Sequence, residues 1–326
     1  MIIPNKLKPG DGARVISPAR SLAMLSQESK EIADKRFEDL GLELSFSKNA
    51  GEKDRFLSSS IKSRLEDIHE AFRDPSIKLI ITTIGGFNSN QLLPYLDYNL
   101  VKSNPKILCG YSDITALANA IYAKTGLVTY SGPHYSSFGE KLYFDYTLEY
   151  FKKCLFSEKP FEVLPSKKWS DDLWYKDQDN RNLVPNEGYK IINEGDCEGT
   201  IIGANQRTFH YLTGTEFKPS LENSVLFLEE DSVEDIQHFD SHLTALSQLP
   251  DFGKVKGVVI GRFEPQSEVE LDDLSAVIKN NQRLDRLPVI CGVDFGHTEP
   301  RITFPIGGTV KLSANKNNIA LEIIEH

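Results

Sequence analysis

The sequence contains no apolar run approaching the ~18 residues that a membrane-crossing helix needs, so no membrane partner is expected. It contains no basic block longer than Lys167-Lys168, and its 37 Lys and Arg are outnumbered by 47 Asp and Glu, for a net charge of −10. Nucleic acid is held by clustered cations, so no nucleic-acid partner is expected either. Cysteine is scarce. Cys109, Cys154, Cys197 and Cys291 lie far apart and form no Cys-x-x-Cys pair, which excludes a disulfide scaffold and reads as four reduced thiols. The stretch from Met1 to Gly12 has Pro, Asn and Lys but no apolar core of the kind a secretory leader carries, so the expected location is cytoplasmic. There is no internal repeat and no low-complexity tract. What remains is ordinary globular composition, with 40% hydrophobic and 26% charged residues over 326 positions. At ~150 residues per domain this length suggests two domains.

The first half alternates strand and helix signals. Apolar strand runs fall at 13–17, 42–46, 79–84, 106–109 and 127–130. Helical patterns fall at 26–40, 60–72, 89–95 and 114–125. In the second of these helices Ile61, Leu65, Ile68 and Phe72 share one face. Near-continuous apolar strands between helices imply a parallel sheet covered on both faces. The pattern breaks between Pro165 and Glu187, a polar and aromatic stretch that holds both tryptophans, Trp169 and Trp174. The predicted division is therefore an N-terminal α/β domain over 1–165, a connector over 166–187 and a smaller, β-rich α/β domain over 188–326. In the last of these, strands are predicted at 190–192, 199–202, 225–228, 257–260 and 288–290. Helices are predicted at 232–249 and 271–280, and a terminal hairpin turns at 315–318.

The strongest local signal is an apolar strand running into Gly110-Tyr111-Ser112-Asp113 and then into a helix. A serine on such a turn stands out at the C-terminal edge of the sheet, with free backbone N–H groups behind it that suit an oxyanion. Capping of the helix by Ser112 or Asp113 explains the same residues equally well. Gly85-Gly86, after the preceding strand, allow close backbone approach to a ligand, or simply make a tight turn.

A serine nucleophile needs a base and an orienting acid. Of seven histidines, His69 sits on the polar side of its helix and is expected to be solvated. His326 closes the sequence. His238 and His242 have the i, i+4 spacing of metal ligands, but Phe239 stands where a zinc peptidase helix carries Glu, so no metal is expected. His297 lies between two strands, where sheets expose function. For the acid, the strand at 225–228 runs into Glu229-Glu230-Asp231. Strand alternation sends Glu229 and Glu230 to opposite sides, and three acids at a strand end also suit a solvated terminus.

The succession of Gly85-Gly86, Gly-Tyr-Ser112-Asp, Gly203-Ala-Asn205, Leu-Phe-Leu-Glu229-Glu-Asp, Gly-His297 and Pro305-Ile-Gly307 resembles the LD-carboxypeptidase family of serine peptidases, which includes the microcin C immunity proteins. The resemblance spans nearly the whole chain. It implies a flavodoxin-like N-terminal domain and a site between the two domains. It further implies a Ser112–Glu229–His297 triad, with the amides of Gly86 and Asp113 as oxyanion hole, and no cofactor. Gly85, Phe87, Asn205, Trp169 and Trp174 become substrate-binding candidates, and a homodimer is expected. The sequence departs from the family in having Ala204 where a second glycine is usual, a change expected to be harmless.

The aromatic connector resembles that of the immunity branch, in which an aromatic side chain stacks on a nucleobase. That implies cleavage of the amide in aminoacyl- or peptidyl-nucleotide conjugates. The alternative within the family is removal of terminal D-alanine from muropeptide tetrapeptides, with the tryptophans packing the connector against the body. A cleft that binds a small peptide without cutting it is the non-enzymatic alternative.

Overall fold

The computed structural model describes residues 1–316 and 318–326. The strands are β1 (Gly12–Ile16), β2 (Glu43–Phe46), β3 (Ile77–Thr82), β4 (Ile107–Cys109), β5 (Thr129–Ser131), β6 (Phe161–Glu162), β7 (Lys168–Trp169), β8 (Val184–Pro185), β9 (Lys190–Asn193), β10 (Gly195–Asn205), β11 (Ser224–Glu229), β12 (Gly257–Gly261), β13 (Val289–Val293), β14 (Phe304–Ile306), β15 (Thr309–Asn315) and β16 (Asn318–Glu325). The helices are α1 (Gln27–Asp39), α2 (Ile61–Arg73), α3 (Tyr98–Ser103), α4 (Ile114–Thr125), α5 (Asp145–Leu155), α6 (Gln206–His210), α7 (Ile236–Ser247) and α8 (Leu271–Asn280).

Two sheets organise the chain. The first runs β2-β1-β3-β4-β5-β14 and is parallel except for β14, which pairs antiparallel with β5. The second runs β9-β13-β12-β11-β10-β15-β16-β6, with a parallel centre from β10 to β13 and antiparallel flanks. The fold class is thus mixed α/β, with a parallel N-terminal sheet and a β-rich C-terminal one. The sheets do not respect the boundaries at 165 and 188. β6, from before the connector, edges the second sheet, and β14, from far beyond it, edges the first. A three-residue strand such as Phe304–Ile306 carries too little pattern to say which sheet it joins.

Helix ends follow capping chemistry. Ser26 and Ser60 stand at the N-caps of α1 and α2 and accept from the amides of Ser29 and Ser63, while Gly126 ends α4 at φ +75°. α4 is buried almost all round because it touches β10, α6, β5 and β14. Two of its polar side chains tie it to the second sheet. Asn119 Nδ2 donates to Gly203 O at 2.8 Å, and the amide of Asn205 donates to Thr115 Oγ1 at 3.1 Å.

Helices α3 and α5 and the short α6 were not predicted. The amide of Asp97, just before α3, donates at 3.0 Å to His69 Nε2, so His69 is a half-buried acceptor whose pKa burial lowers, not a solvated side chain. The terminal hairpin forms between β15 and β16. Its predicted turn at 315–318 includes Asn317, which lies outside the described residues. Among the described residues no helix is long and apolar enough to cross a membrane.

Candidate active site

Ser112 follows β4 and precedes α4 with φ +60°, a left-handed conformation costing a non-glycine residue on the order of 1–3 kcal/mol. The turn is held from below. Asp113 is buried, and its Oδ2 accepts from the amides of Asn88 at 3.1 Å and Ser89 at 2.9 Å, while Ser89 Oγ donates to Asp113 O. These bonds tie the serine turn to the Gly85-Gly86 turn that follows β3. Gly85 keeps the two turns close: a Cβ there would stand 3.0 Å from both Cβ and Oγ of Ser112 and press the serine side chain aside. Among the described residues the amides of Gly86, next to Gly85, and of Asp113, next to Ser112, donate to no other group.

His297 lies after β13. Its Nε2 is 3.0 Å from Ser112 Oγ, and its Nδ1 is 2.8 Å from Glu229 Oε2. Glu229 is the last residue of β11 and is buried. Gly296 lets the imidazole sit so close to it: this residue has φ +112°, and a Cβ there would fall 2.8 Å from Glu229 Oε2. Glu230 turns to the other side and meets His242 Nδ1 at 3.2 Å. Burial, and next the charge of Glu229, push the Glu230 carboxyl up to about 9, so it stays protonated at neutral pH. Burial pulls the His297 imidazolium down, but the charge and hydrogen bond of Glu229, with Asp231 and Glu264 behind, more than offset it and raise His297 to about 9.

The remaining sequence candidates divide. Asn205 ends β10 in register with Glu229. Its Oδ1 caps α6 by accepting from the Thr208 amide at 3.0 Å, and its buried Nδ2 has no partner. Phe87 is exposed on a shallow hollow shared with Phe56, Ile61 and Arg64. Trp169 lines a cavity of about 840 Å³ together with Gly261, Arg262, Phe263 and Glu264, and the Arg262 guanidinium lies 4.8 Å from the indole centre. Gly261 faces Glu229 across that wall. Ser112 and His297 do not line the cavity, but Glu264 is near enough to bias His297. Trp174 does not line this cavity and meets its neighbour Tyr175 edge-on. His238 bonds to Asp235 at 2.8 Å, and among the described residues no group of three or more His, Cys, Asp or Glu is placed to hold a metal.

Sequence reasoning missed a layer behind Ser112, His297 and Glu229. Tyr111 stacks on His134 with ring centres 4.3 Å apart, meets His297 edge-on at 5.5 Å, and carries the Arg301 guanidinium 4.1 Å above its ring. His134 is buried and held well below its ordinary pKa, chiefly by burial, with Arg301 and His297 adding to it. Its Nδ1 is 2.7 Å from Thr82 Oγ1. Tyr111 and Arg301 lie within the segments that drew attention, but a lone aromatic or arginine carries no spacing signal.

Ala204 needs correction. It has φ +117°, and Gly203 beside it has φ +115°. Alanine in place of the family's glycine is therefore a strained choice, not a harmless one. Ala204→Gly is expected to raise stability by about 1 kcal/mol and the thermal midpoint by about 2 °C. A calorimetric midpoint that falls instead would show that the neighbouring packing, not the backbone, sets the energy there.

A strained serine facing a His–Glu pair, with two free amides beside it, defines a serine hydrolase site. Comparison with known proteins agrees with that class. The LD-carboxypeptidase N-terminal domain matches residues 13–132 and the LD-carboxypeptidase C-terminal domain matches residues 198–312. The curated relative named "Putative carboxypeptidase YocD" of Bacillus subtilis (strain 168) is 51% identical, with 99% of each chain covered. Among solved structures, the MccF-like protein from Bacillus anthracis str. Ames superposes with TM-score 0.99 at 51% identity, covering 100% of both chains. The structure of MccF in complex with glutamyl sulfamoyl guanosine superposes with TM-score 0.90 at 30% identity, covering 99% of this chain and 98% of that one. The chain belongs to the LD-carboxypeptidase family and is a serine-type hydrolase of the carboxypeptidase and amidase class.

Proposed function

We propose that the protein is an amidase that cleaves aminoacyl- or peptidyl-nucleotide conjugates, with Ser112, His297 and Glu229 as its triad. The observation that carries the reading is the unbroken contact from Ser112 Oγ through His297 to Glu229 on a serine held at φ +60°. Ser112 Oγ attacks the amide carbonyl while His297 Nε2 takes its proton, and Glu229 fixes the imidazole through Nδ1. The amides of Gly86 and Asp113 receive the oxyanion. His297 then gives the proton to the leaving nitrogen, and water releases the acyl group by the same route.

The nucleotide preference is supported by Trp169 on a cavity of about 840 Å³ beside the triad's acid, and by the sulfamoyl nucleotide bound to the MccF relative. An indole face stabilises a stacked base by ~1–3 kcal/mol. The second reading, removal of terminal D-alanine from muropeptides, is favoured by the carboxypeptidase name of the YocD relative. A homodimer working in the cytoplasm, with the division of labour between residues 1–165 and 188–326, completes the proposal.

One assay separates the readings. Aminoacyl-sulfamoyl adenosine and a tetrapeptide ending in D-alanine are offered side by side, with Ser112→Ala as control and mass spectrometry as readout. Cleavage of the conjugate alone supports the nucleotide reading. Cleavage of the tetrapeptide alone replaces it with the cell-wall reading. Cleavage of neither removes both substrates.

The raised pKa of His297 sets the pH dependence. A base must be neutral to accept a proton, and His297 is mostly imidazolium at pH 7. The value of kcat/KM is therefore expected to climb about tenfold per pH unit from 6 to 8 and to level off above about 9. A profile that is flat from 6 to 8 would show that His297 is neutral in the free enzyme.

A further inference from the structure

Arg20 lies against the oxyanion turn with nothing to bind. It follows β1 at the C-terminal edge of the first sheet, and a Cβ on Gly86 would meet Arg20 Cγ and the Arg20 amide nitrogen, each at 3.3 Å. The Arg20 amide donates to Gly85 O. The loop that presents it is rigid. Ser17 Oγ bonds to Ala50 O and Thr83 Oγ1, Ser58 Oγ donates to Ala19 O at 2.6 Å, and Arg64 donates to Pro18 O. Of the other guanidinium groups around the site, Arg55 lies over the Phe56 ring at 4.6 Å and the rest are paired. Arg301 pairs with Glu299 and lies over Tyr111, Arg262 pairs with Asp294, Arg207 pairs with Asp231 and Glu234, and Arg64 serves backbone carbonyls. Arg20 is exposed, and its guanidinium makes no hydrogen bond or ion pair with any described residue. The other wall of the site is negative, with Glu229, Asp231 and Glu264 all acting on His297.

We propose that Arg20 is the specificity residue that holds a fixed negative charge on the substrate beside the scissile amide. The assignment deepens the hydrolase reading and rests on it. A negative charge at or beside the leaving nitrogen is common to both substrate classes: a free carboxylate in a peptide ending in an amino acid, and in a nucleotide conjugate the ionised acyl sulfamate, whose charge spreads onto its sulfonyl oxygens. Arginine suits either, since its planar fork meets two oxygens at once.

The test is binding to the Ser112→Ala protein, which keeps the ligand intact. Calorimetric titration uses three probes: a tetrapeptide with a free terminal carboxylate, the same peptide as its C-terminal amide, and aminoacyl-sulfamoyl adenosine. Adding Arg20→Ala is expected to weaken the free acid or the sulfamate by about 10–100-fold and to leave the peptide amide within about threefold, with Arg20→Lys recovering part of the loss. Loss confined to the free acid names the carboxylate as the anion, and loss confined to the conjugate names the sulfamate; both support the assignment. Equal weakening of acid and amide, no change with any probe, or no binding of either anion overturns it. Arg20-dependent binding to a protein whose wild type cleaves neither substrate would defeat the hydrolase reading's substrates and leave the anion site standing.

Discussion

Ser112→Ala and His297→Ala are each expected to lower kcat by roughly 10⁴–10⁶-fold, and the double variant to be little worse than either single one. The reason is geometric. Ser112 Oγ and His297 Nε2 are 3.0 Å apart and, in the proposed mechanism, act on one proton, so removing either end removes the whole transfer. Residual turnover would come from the free amides of Gly86 and Asp113 and from substrate binding, neither of which the substitutions touch. Pre-steady-state acyl-enzyme trapping gives a second readout, because only a protein with Ser112 can form the ester. If Ser112→Ala retains more than about a tenth of wild-type kcat, the nucleophile lies elsewhere and the strained turn serves only as a helix entry.

The two adjacent glutamates give the second large contrast. Glu229→Gln is expected to reduce kcat by about 10³–10⁴-fold, since an amide at that place can hold the imidazole in the wrong tautomer and cannot stabilise its charge. It should also move the rising limb of the pH profile downward, because Glu229 is what lifts His297 to about 9. Glu230→Gln replaces a carboxyl already neutral at pH 7 with a group of the same shape and charge, so kcat should stay within about threefold. Equal losses in both variants would mean that the acidic strand end works as a diffuse field, and a larger loss in Glu230→Gln would exchange the roles. Circular dichroism on each variant separates lost chemistry from lost fold.

Much of this was legible in the sequence because the relevant signals are local. Apolar runs gave β1, β3, β4, β11 and β12 nearly to their ends, and helix α4 was placed at its observed residues, 114–125. Strand alternation alone sent Glu229 and Glu230 to opposite sides, as observed. Contacts between distant segments were not legible. Arg301 over Tyr111 joins residues 190 positions apart, and no periodicity encodes such a meeting. β10 runs on both sides of its apolar core, Gly199–Ile202, because β15 pairs with its polar start and Glu229 with its polar end. The positive φ at Ala204 was signalled only by the glycine the resembled family carries there, since the residue in this chain is alanine.

The lending of β14 to the first sheet bears on how the site moves. His297 sits on the segment that leaves β13 in one sheet and enters β14 in the other. Both ends of that segment are clamped in hydrogen-bonded ladders. Swinging the halves apart like a hinged book would strip β14 from β5 at one edge and β6 from β16 at the other, before the spacing of serine and imidazole changed at all. Breathing of the two halves is thus a costly way to admit a substrate, and one that would dismantle the catalytic spacing it was meant to serve. Under the proposed mechanism, admission therefore falls to side chains and loops at the rim, with Ser112 and His297 kept at a fixed gauge.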